Sequence, residues 1–315
     1  ESKYKRQFSP MHLAAKERVR FLNFNIFIRY PMPWPFFKPC GAQRHNDFKK
    51  ERMARFCDNY LEHYDIVCLQ EMHGTFSFNR QFIKKRAEAK GFNVVYSPQA
   101  SWIKCQALVD GGKMTITRYP IIKHEFSPFV AAKGVDRFAA KGVLYTLLEV
   151  SPGKKLHVFN THLQATYGDE GYDGDRRTRI DQAMELIVFM EKKVTEYPEK
   201  HPIMLGGDFN IDARPTEQQL EEDPLTKHST EYANLKDILT SLPIFSDMRD
   251  MVWDQHGEHL TTIFNTALPY NLLSHEHDYD SFENNGALDH QFFFPNGTTW
   301  LSYEQASCKA QPFEN

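Results

Sequence analysis

The stretch Pro202-Ile203-Met204-Leu205-Gly206-Gly207-Asp208-Phe209-Asn210 decides how this chain is interpreted. Its apolar first part is too short for an independent helix and predicts a buried strand. The two glycines allow backbone or ligand to approach closely, and Asp208 and Asn210 lie on one side of an extended chain. The segment therefore predicts a strand end that presents polar groups to a reaction centre, with a plain aspartate-containing turn as the alternative.

The composition is that of a globular protein with enough apolar material for a large core. The chain has 315 residues, of which 41% are hydrophobic and 14% aromatic. The 38 basic and 41 acidic side chains give a net charge of -3, so no overall field favours nucleic acid and none is expected as a partner. We expect a monomer. Its location is left open between secreted, cytoplasmic and membrane-peripheral.

No apolar run is long enough to suggest a transmembrane segment. The longest, such as 143–148, is far below the roughly 20 residues that span a bilayer. We therefore expect any membrane contact to be peripheral.

Strand-like and helix-like patterns alternate along the chain. Periodicity predicts helices around 53–61 and 180–194. Strands are predicted at Phe21 to Ile28, Asp65 to Gln70, Phe92 to Tyr96, Lys113 to Thr117, Val143 to Val150, Leu156 to Asn160, Ile203 to Leu205 and His290 to Phe294. No repeat or linker divides the pattern. It indicates a single mixed α/β domain over 1–315, with its longest loops at about 212–231 and 267–286.

Several predicted strands carry a polar group at one end. These groups are Asn25, Glu71, His162, Asp208 with Asn210, and Asp289. Taken singly, each has an ordinary alternative as a satisfied strand amide, a turn charge or a core histidine. Together, hard oxygen donors such as Glu71 and Asn25 suit Mg²⁺, and no zinc-type cluster of cysteine and histidine is present. The set is typical of phosphate-ester hydrolysis.

The same motifs, in the same order, resemble those of the endonuclease/exonuclease/phosphatase (deoxyribonuclease-I-like) superfamily. They are Phe24-Asn25-Ile26, Leu69-Gln70-Glu71, Asn160-Thr161-His162-Leu163, Gly207-Asp208-Phe209-Asn210 and Leu288-Asp289-His290. The resemblance implies an α/β (α+β) fold, a four-layer α/β/β/α sandwich of two packed mixed sheets flanked by helices. Periodicity alone indicates only a mixed α/β protein.

Two further segments are similar to the neutral sphingomyelinase branch of that superfamily. One is the run from Asp110 to Ile121, and the other is Asp136-Arg137-Phe138-Ala139-Ala140-Lys141-Gly142. Lys141 would neutralise a phosphate oxygen, and Asp136 could hold or withdraw that ammonium as a switch. A surface ion pair is the alternative interpretation of these two residues.

The resemblance to this branch implies a Mg²⁺-dependent phosphodiesterase. Such an enzyme hydrolyses sphingomyelin, or a related choline phospholipid, to ceramide and phosphocholine. A nuclease and an inositol-phosphate phosphatase of the same fold are the rival enzymes. By the same resemblance, Glu71 is the main ligand of Mg²⁺, or of Mn²⁺ or Co²⁺ in its place, with Asn25 beside it.

The resemblance also assigns catalytic roles. Asp208 and Asn210 would orient the attacking water and the phosphate, while His162 and Lys141 would contact phosphate oxygens. Asp289 matches the family carboxylate that orients the catalytic imidazole.

The chain departs from the pattern near its end. Family members carry a later Asp-His pair whose histidine is the general base, and none follows His290. We expect a chain that lacks its C-terminal Asp-His segment. A catalytically dead, lipid-binding homologue and a shifted alignment, with Asp289 and His290 as the final pair, are the alternatives. In a strand, those two side chains would face opposite sides.

A loop rich in proline and aromatic residues follows the first strand. In Tyr30–Pro39, four prolines exclude a regular helix or central strand. Its rings could enter a lipid interface or hold a quaternary ammonium group. The loop therefore predicts peripheral membrane contact, with packing onto its own core as the alternative.

Overall fold

The computed structural model describes residues 18–28, 48–75, 77–99, 107–166, 172–262 and 286–305. The strands in these ranges are β1 (Phe21–Ile28), β2 (Ile66–Met72), β3 (Asn93–Tyr96), β4 (Met114–Thr117), β5 (Ile121–Pro128), β6 (Gly142–Ser151), β7 (Lys154–His162), β8 (Ile203–Asp208), β9 (Arg249–Asp250) and β10 (Asp289–Phe294). The α-helices are α1 (Lys49–Arg55), α2 (Asn79–Ala89), α3 (Tyr172–Thr195), α4 (Glu217–Glu222), α5 (Thr230–Leu239) and α6 (Met251–His256). None of the helices in this described part of the chain is long and apolar enough to cross a membrane.

The strands form two mixed sheets. The four-stranded sheet has the order β1-β2-β4-β3, and the six-stranded sheet has the order β5-β6-β7-β8-β10-β9. Strands β1 and β2 are parallel, as are β7 and β8, whereas the other pairs are antiparallel.

Three apolar clusters show that the molecule has four layers. One cluster joins the six-stranded sheet to α3 and α5, and a second joins the four-stranded sheet to α1 and α2. The third lies between the sheets and includes Ile66, Leu156, Met204 and Phe293. This is the α/β/β/α sandwich that the resemblance implies.

Side chains alternate between these clusters along each strand. In β2, Val67 and Leu69 pack towards the helices, while Ile66 and Cys68 pack between the sheets. Strand β7 follows the same rule, because Leu156 and Val158 face the other sheet. Continuing the alternation of β7 past Val158 places Asn160 and then His162 on the inner face. The inner faces thus become polar towards one end of the sandwich.

The eight predicted strands and both predicted helical stretches are present with small shifts in their bounds. Strands β5 and β9 and helices α2, α4, α5 and α6 were not predicted. The segment 212–231 is not a plain loop, because it contains α4 and the start of α5. The Tyr30–Pro39 loop and most of 267–286 lie outside the described residues.

Candidate active site

A row of aligned residues crosses the polar end of the six-stranded sheet. His162 is in register with Asp208 on the parallel neighbour, and Asp208 is in register with Asp289 on the antiparallel one. Residues in register point to the same face of a sheet, which here is the face towards the other sheet. Three residues predicted from separate motifs therefore converge.

The glycines before Asp208 serve the packing of strands. A Cβ on Gly207 would lie 2.5 Å from the carbonyl oxygen of Thr161, and a Cβ on Gly206 would lie 3.1 Å from the Phe21 ring. The first contact is with β7, beside β8 in the same sheet, and the second is with β1 in the facing sheet, so the glycines allow both strands to approach β8 closely. The plain-turn alternative is wrong, because Asp208 is the last residue of a buried strand.

Glu71 reaches the site through a break in the alternation of β2. Odd-numbered positions such as Val67 and Leu69 face the helices, yet Met72, an even-numbered position, also packs there. The change occurs at Glu71, whose φ of 52° is left-handed. In the register with β1, two residues lie opposite this single one. The left-handed backbone of Glu71, opposite this bulge in β1, turns the carboxylate away from the helix side, where regular alternation would have placed it.

Asn25 connects the two sheets at this point. Its Nδ2 donates to Glu71 Oε1 at 3.1 Å and to Asp208 Oδ2 at 2.8 Å. Its Oδ1 accepts from the backbone N–H of Phe27 at 3.0 Å, which fixes the orientation of the amide. The two carboxylates are thus held on either side of one amide group.

Lys141 contacts His162, which lies beside Asp208, and it is buried together with Asp136. The Lys141 Nζ is 2.7 Å from Asp136 Oδ2 and 3.3 Å from His162 Nε2, and it donates to the Leu163 carbonyl at 2.6 Å. Both side chains of the ion pair are 9% exposed, so the interpretation as a surface pair is wrong. His162 Nε2 in turn lies 3.8 Å from Asp208 Oδ2.

Asn210 completes the turn after β8. Its backbone N–H donates to Asp208 Oδ1 at 2.9 Å, and its Nδ2 donates to the Leu163 carbonyl at 3.1 Å. Its φ of 52° is left-handed. Asn210 thus shares the Leu163 carbonyl with Lys141 and links the carboxylates to the ammonium.

Burial and the neighbouring negative charges raise the pKa values of Asp208 and Asp289. Burial raises the pKa of Asp208, although hydrogen bonds from Asn25 and Asn210 oppose the change. Burial, followed by the charge of Asp208, raises the pKa of Asp289 well above its ordinary value. Asp289 Oδ1 is buried and has no hydrogen-bond partner among the described residues. A divalent cation fits such a set of oxygens, because it would neutralise the crowded charges and engage that oxygen.

The described side chains do not form a complete set of metal ligands. No group of three acidic, histidine or cysteine residues among them meets the geometry of a metal cluster. Asn25 itself occupies the space between Glu71 and Asp208 with its hydrogen bonds.

Asp289 and His290 face opposite sides of their strand. The His290 ring packs at a tilt against the rings of Phe209 and Tyr232, and its Nε2 lies 2.9 Å from the Ile211 carbonyl oxygen. This histidine is therefore buried on the helix side of the sheet. The shifted alignment with His290 as the general base conflicts with this position.

The chain is similar in sequence to several sphingomyelinases and to phospholipase C of Staphylococcus aureus. No protein-family model matches the chain. A sphingomyelinase of Dictyostelium discoideum is 29% identical over 232 residues, which are 66% of this chain and 48% of that protein. Sphingomyelinase C of Bacillus cereus is 24% identical over 258 residues, covering 77% of this chain and 74% of that protein. The chain thus spans about half the length of the Dictyostelium protein.

Solved structures share the fold. A beta toxin of Staphylococcus aureus with bound magnesium ions is 19% identical, with a TM-score of 0.66 over 89% of this chain and 85% of that one. An endonuclease/exonuclease/phosphatase from Beutenbergia cavernae is 16% identical, with a TM-score of 0.52 over 88% of this chain and 64% of that one. In the order of its motifs, in its sandwich and in these comparisons, the chain is similar to the neutral sphingomyelinase branch of the endonuclease/exonuclease/phosphatase superfamily.

Proposed function

We propose that this chain is the catalytic part of a Mg²⁺-dependent phosphodiesterase that hydrolyses sphingomyelin, or a related choline phospholipid, to ceramide and phosphocholine. The observation that carries the proposal is that an acidic group of side chains and a basic pair lie at the same end of the sandwich. The Asn25 amide holds Glu71 and Asp208 together, and the Lys141 ammonium lies beside His162 at the same end of the sandwich. A phosphodiester needs both a site for a cation and a cationic donor for its oxygens.

Glu71 is the main ligand that we propose for the metal, with Asn25 beside it and the buried Asp208 and Asp289 supplying further negative charge. The beta toxin of the same fold contains magnesium, which makes Mg²⁺ the first choice, ahead of Mn²⁺ or Co²⁺. When bound, the cation supplies charge stabilisation for the phosphate and for the departing alkoxide.

Lys141 and His162 are the donors that we propose for the phosphate oxygens. The two side chains are already in contact and buried, so they are oriented before the substrate arrives. Asp136 Oδ2 lies 2.7 Å from the Lys141 ammonium nitrogen. We propose that Lys141 exchanges part of this contact for the substrate phosphate, which would make the pair a switch.

Asp208 and Asn210 are the residues that we propose to orient the attacking water and the phosphate. Asp208 is rigid, because it accepts hydrogen bonds from Asn25 and from the Asn210 backbone. We also propose that Asp289 orients the catalytic imidazole. This proposal rests on the family resemblance. Peripheral membrane contact through the Tyr30–Pro39 loop is likewise a proposal, and so is the monomeric state.

Phosphocholine release from sphingomyelin vesicles tests the function. The chain and its full open reading frame are assayed with Mg²⁺ and with EDTA, beside vesicles of phosphatidylcholine, single-stranded DNA and an inositol phosphate. We expect Mg²⁺-dependent release by the protein of the full open reading frame. Vesicle binding by both proteins without release by either would instead establish a lipid-binding pseudoenzyme, and cleavage of DNA alone would establish a nuclease.

A further inference from the structure

Asp110 is a buried carboxylate that the proposed chemistry does not use. Its side chain is fully buried and accepts hydrogen bonds from a cluster of donors in the segment that follows Glu71. Oδ2 accepts from the Gly74 N–H at 2.9 Å, the Thr75 N–H at 2.7 Å and the Thr75 hydroxyl at 2.7 Å. Oδ1 accepts from the Gly112 N–H at 2.9 Å.

Two basic side chains add to this arrangement. The His73 Nδ1 lies 3.6 Å from Asp110 Oδ1 and 3.1 Å from the Asp110 carbonyl oxygen, and Arg80 Nη2 lies 3.6 Å from Oδ2. Removal of a buried carboxylate from so many donors is costly, because each would lose its acceptor. Asp110 and residues 73–75, which it binds, are called the Asp110 clamp below.

The clamp begins two residues after Glu71, whose left-handed backbone turns its carboxylate into the site. The Met72 N–H donates to the Gly112 carbonyl at 2.7 Å, and the His73 N–H donates to the Ile28 carbonyl at 3.3 Å. A glutamate in the left-handed region costs free energy that the surrounding structure must supply. The hydrogen bonds of Met72, His73, Gly74 and Thr75 hold the backbone directly C-terminal to Glu71.

The same turn also contacts the segment that carries Lys141. The Ala140 N–H donates to the Val109 carbonyl at 3.0 Å, and the Leu108 N–H donates to the Phe138 carbonyl at 2.8 Å. The turn from Val109 to Gly112 therefore lies between the strand end of Glu71 and the approach to Lys141. The turn thus forms hydrogen bonds both to the segment that follows Glu71 and to the segment that precedes Lys141.

We propose that Asp110 is a positioning residue for the metal site, which holds Glu71 in its left-handed conformation and at a fixed distance from Lys141. The proposal deepens the proposed function and rests on it. Asp110 acts through the backbone, because its carboxylate accepts from the N–H groups of Gly74, Thr75 and Gly112, and the Gly112 carbonyl accepts from the Met72 N–H.

The test compares Asp110→Asn with the wild type in the full chain, and Asp250→Asn serves as the matched control. Asp250 is another buried aspartate, which accepts from the Tyr232 hydroxyl and from the Trp253 N–H at the start of α6. Calorimetric titration with Mg²⁺ alone is expected to show at least tenfold weaker binding by Asp110→Asn and a change below twofold for Asp250→Asn. The Mg²⁺ concentration for half-maximal turnover should shift in parallel.

A crystal structure of Asp110→Asn gives a readout that needs neither metal nor activity. Glu71 should leave the left-handed region, and its contact with Asn25, now 3.1 Å, should be lost. Retention of both would overturn the proposal, as would unchanged Mg²⁺ affinity together with faster hydrogen exchange at Gly74 and Thr75. Failure of the wild type to bind Mg²⁺ would contradict the proposed function, while the crystal structure would still decide the role of Asp110.

Thr75→Val is the milder variant if Asp110→Asn does not fold. It keeps the shape of the side chain and removes the hydroxyl that donates to Asp110 Oδ2. A weakening of Mg²⁺ binding of about threefold is expected. Unchanged affinity in a folded Thr75→Val that has lost this hydrogen bond would count against the clamp.

Discussion

Two neighbouring polar layers between the sheets are built from different chemistry. The amide layer consists of Asn23, Gln70 and Asn160, and the carboxylate layer, one step nearer the strand ends, consists of Glu71, Asp208 and Asp289. In the amide layer, Gln70 Nε2 donates to Asn23 Oδ1 and to Asn160 Oδ1, at 2.8 Å each. Asn160 Nδ2 in turn donates to the carbonyls of Leu69 and Met114, both at 3.1 Å.

The two layers contribute differently to the stability of the sandwich. Amides both donate and accept, so they pair across the sheets without net charge. Carboxylates only accept, and their burial raises the pKa of Asp208 and Asp289. The amide layer therefore contributes to the free energy of unfolding, whereas the carboxylate layer is costly without a cation and is available for chemistry.

Glu71→Gln should have the largest effect on activity. The substitution keeps the size of the side chain and removes the charge that we propose to bind Mg²⁺. Metal-dependent phosphocholine release should fall by about 10³-fold, while the thermal midpoint of unfolding in EDTA stays the same or rises. Turnover within threefold of the wild type would remove Glu71 from the metal site.

Lys141→Ala should follow with a loss of about 10²-fold in kcat, because one charge-stabilising donor to the phosphate is removed. The matched control is Lys193→Met, which alters another buried lysine that pairs with Glu125 and Glu196 on the helix side of the six-stranded sheet. It should lower stability and leave kcat per folded molecule within twofold. Equal losses in both variants would show that Lys141 has only a structural role.

Asn160→Leu should lower stability and largely preserve activity, which is the opposite of the effect expected for Glu71→Gln. It deprives two buried carbonyls and Gln70 of their partner, so the free energy of unfolding should drop by about 3 kcal/mol in a urea titration. Activity per folded molecule should change by less than about threefold. A large loss of activity without a loss of stability would contradict the division into two layers.

Much of this arrangement could be predicted from the sequence, because period-two alternation and the glycine break after Leu205 are local signals. The conformation of Glu71 could not, since its left-handed backbone depends on contacts with residues more than 30 positions away, such as Asp110. Burial of the Asp136–Lys141 pair also depends on distant packing. Edge strand β5 was missed because Lys123, His124 and Glu125 make its pattern polar.

His157→Phe should produce the smallest effect and only on stability. Burial lowers the pKa of His157 to about 3, against an ordinary value of 6.5. The unfolded chain therefore binds an extra proton between these pH values, so stability is full above pH 6.5 and is lost as the pH falls towards 3. Removal of this histidine should reduce the slope of unfolding free energy against pH by up to ~1.4 kcal/mol per unit. An unchanged slope would mean that His157 is protonated in the fold.

Calorimetric titration of Mg²⁺ into the wild type, Glu71→Gln and Asn160→Leu separates the roles of the two layers. We predict one Mg²⁺ site in the wild type, loss of that site in Glu71→Gln and retention of it in folded Asn160→Leu. Equal Mg²⁺ binding by the wild type and Glu71→Gln would show that the carboxylate layer does not hold the metal.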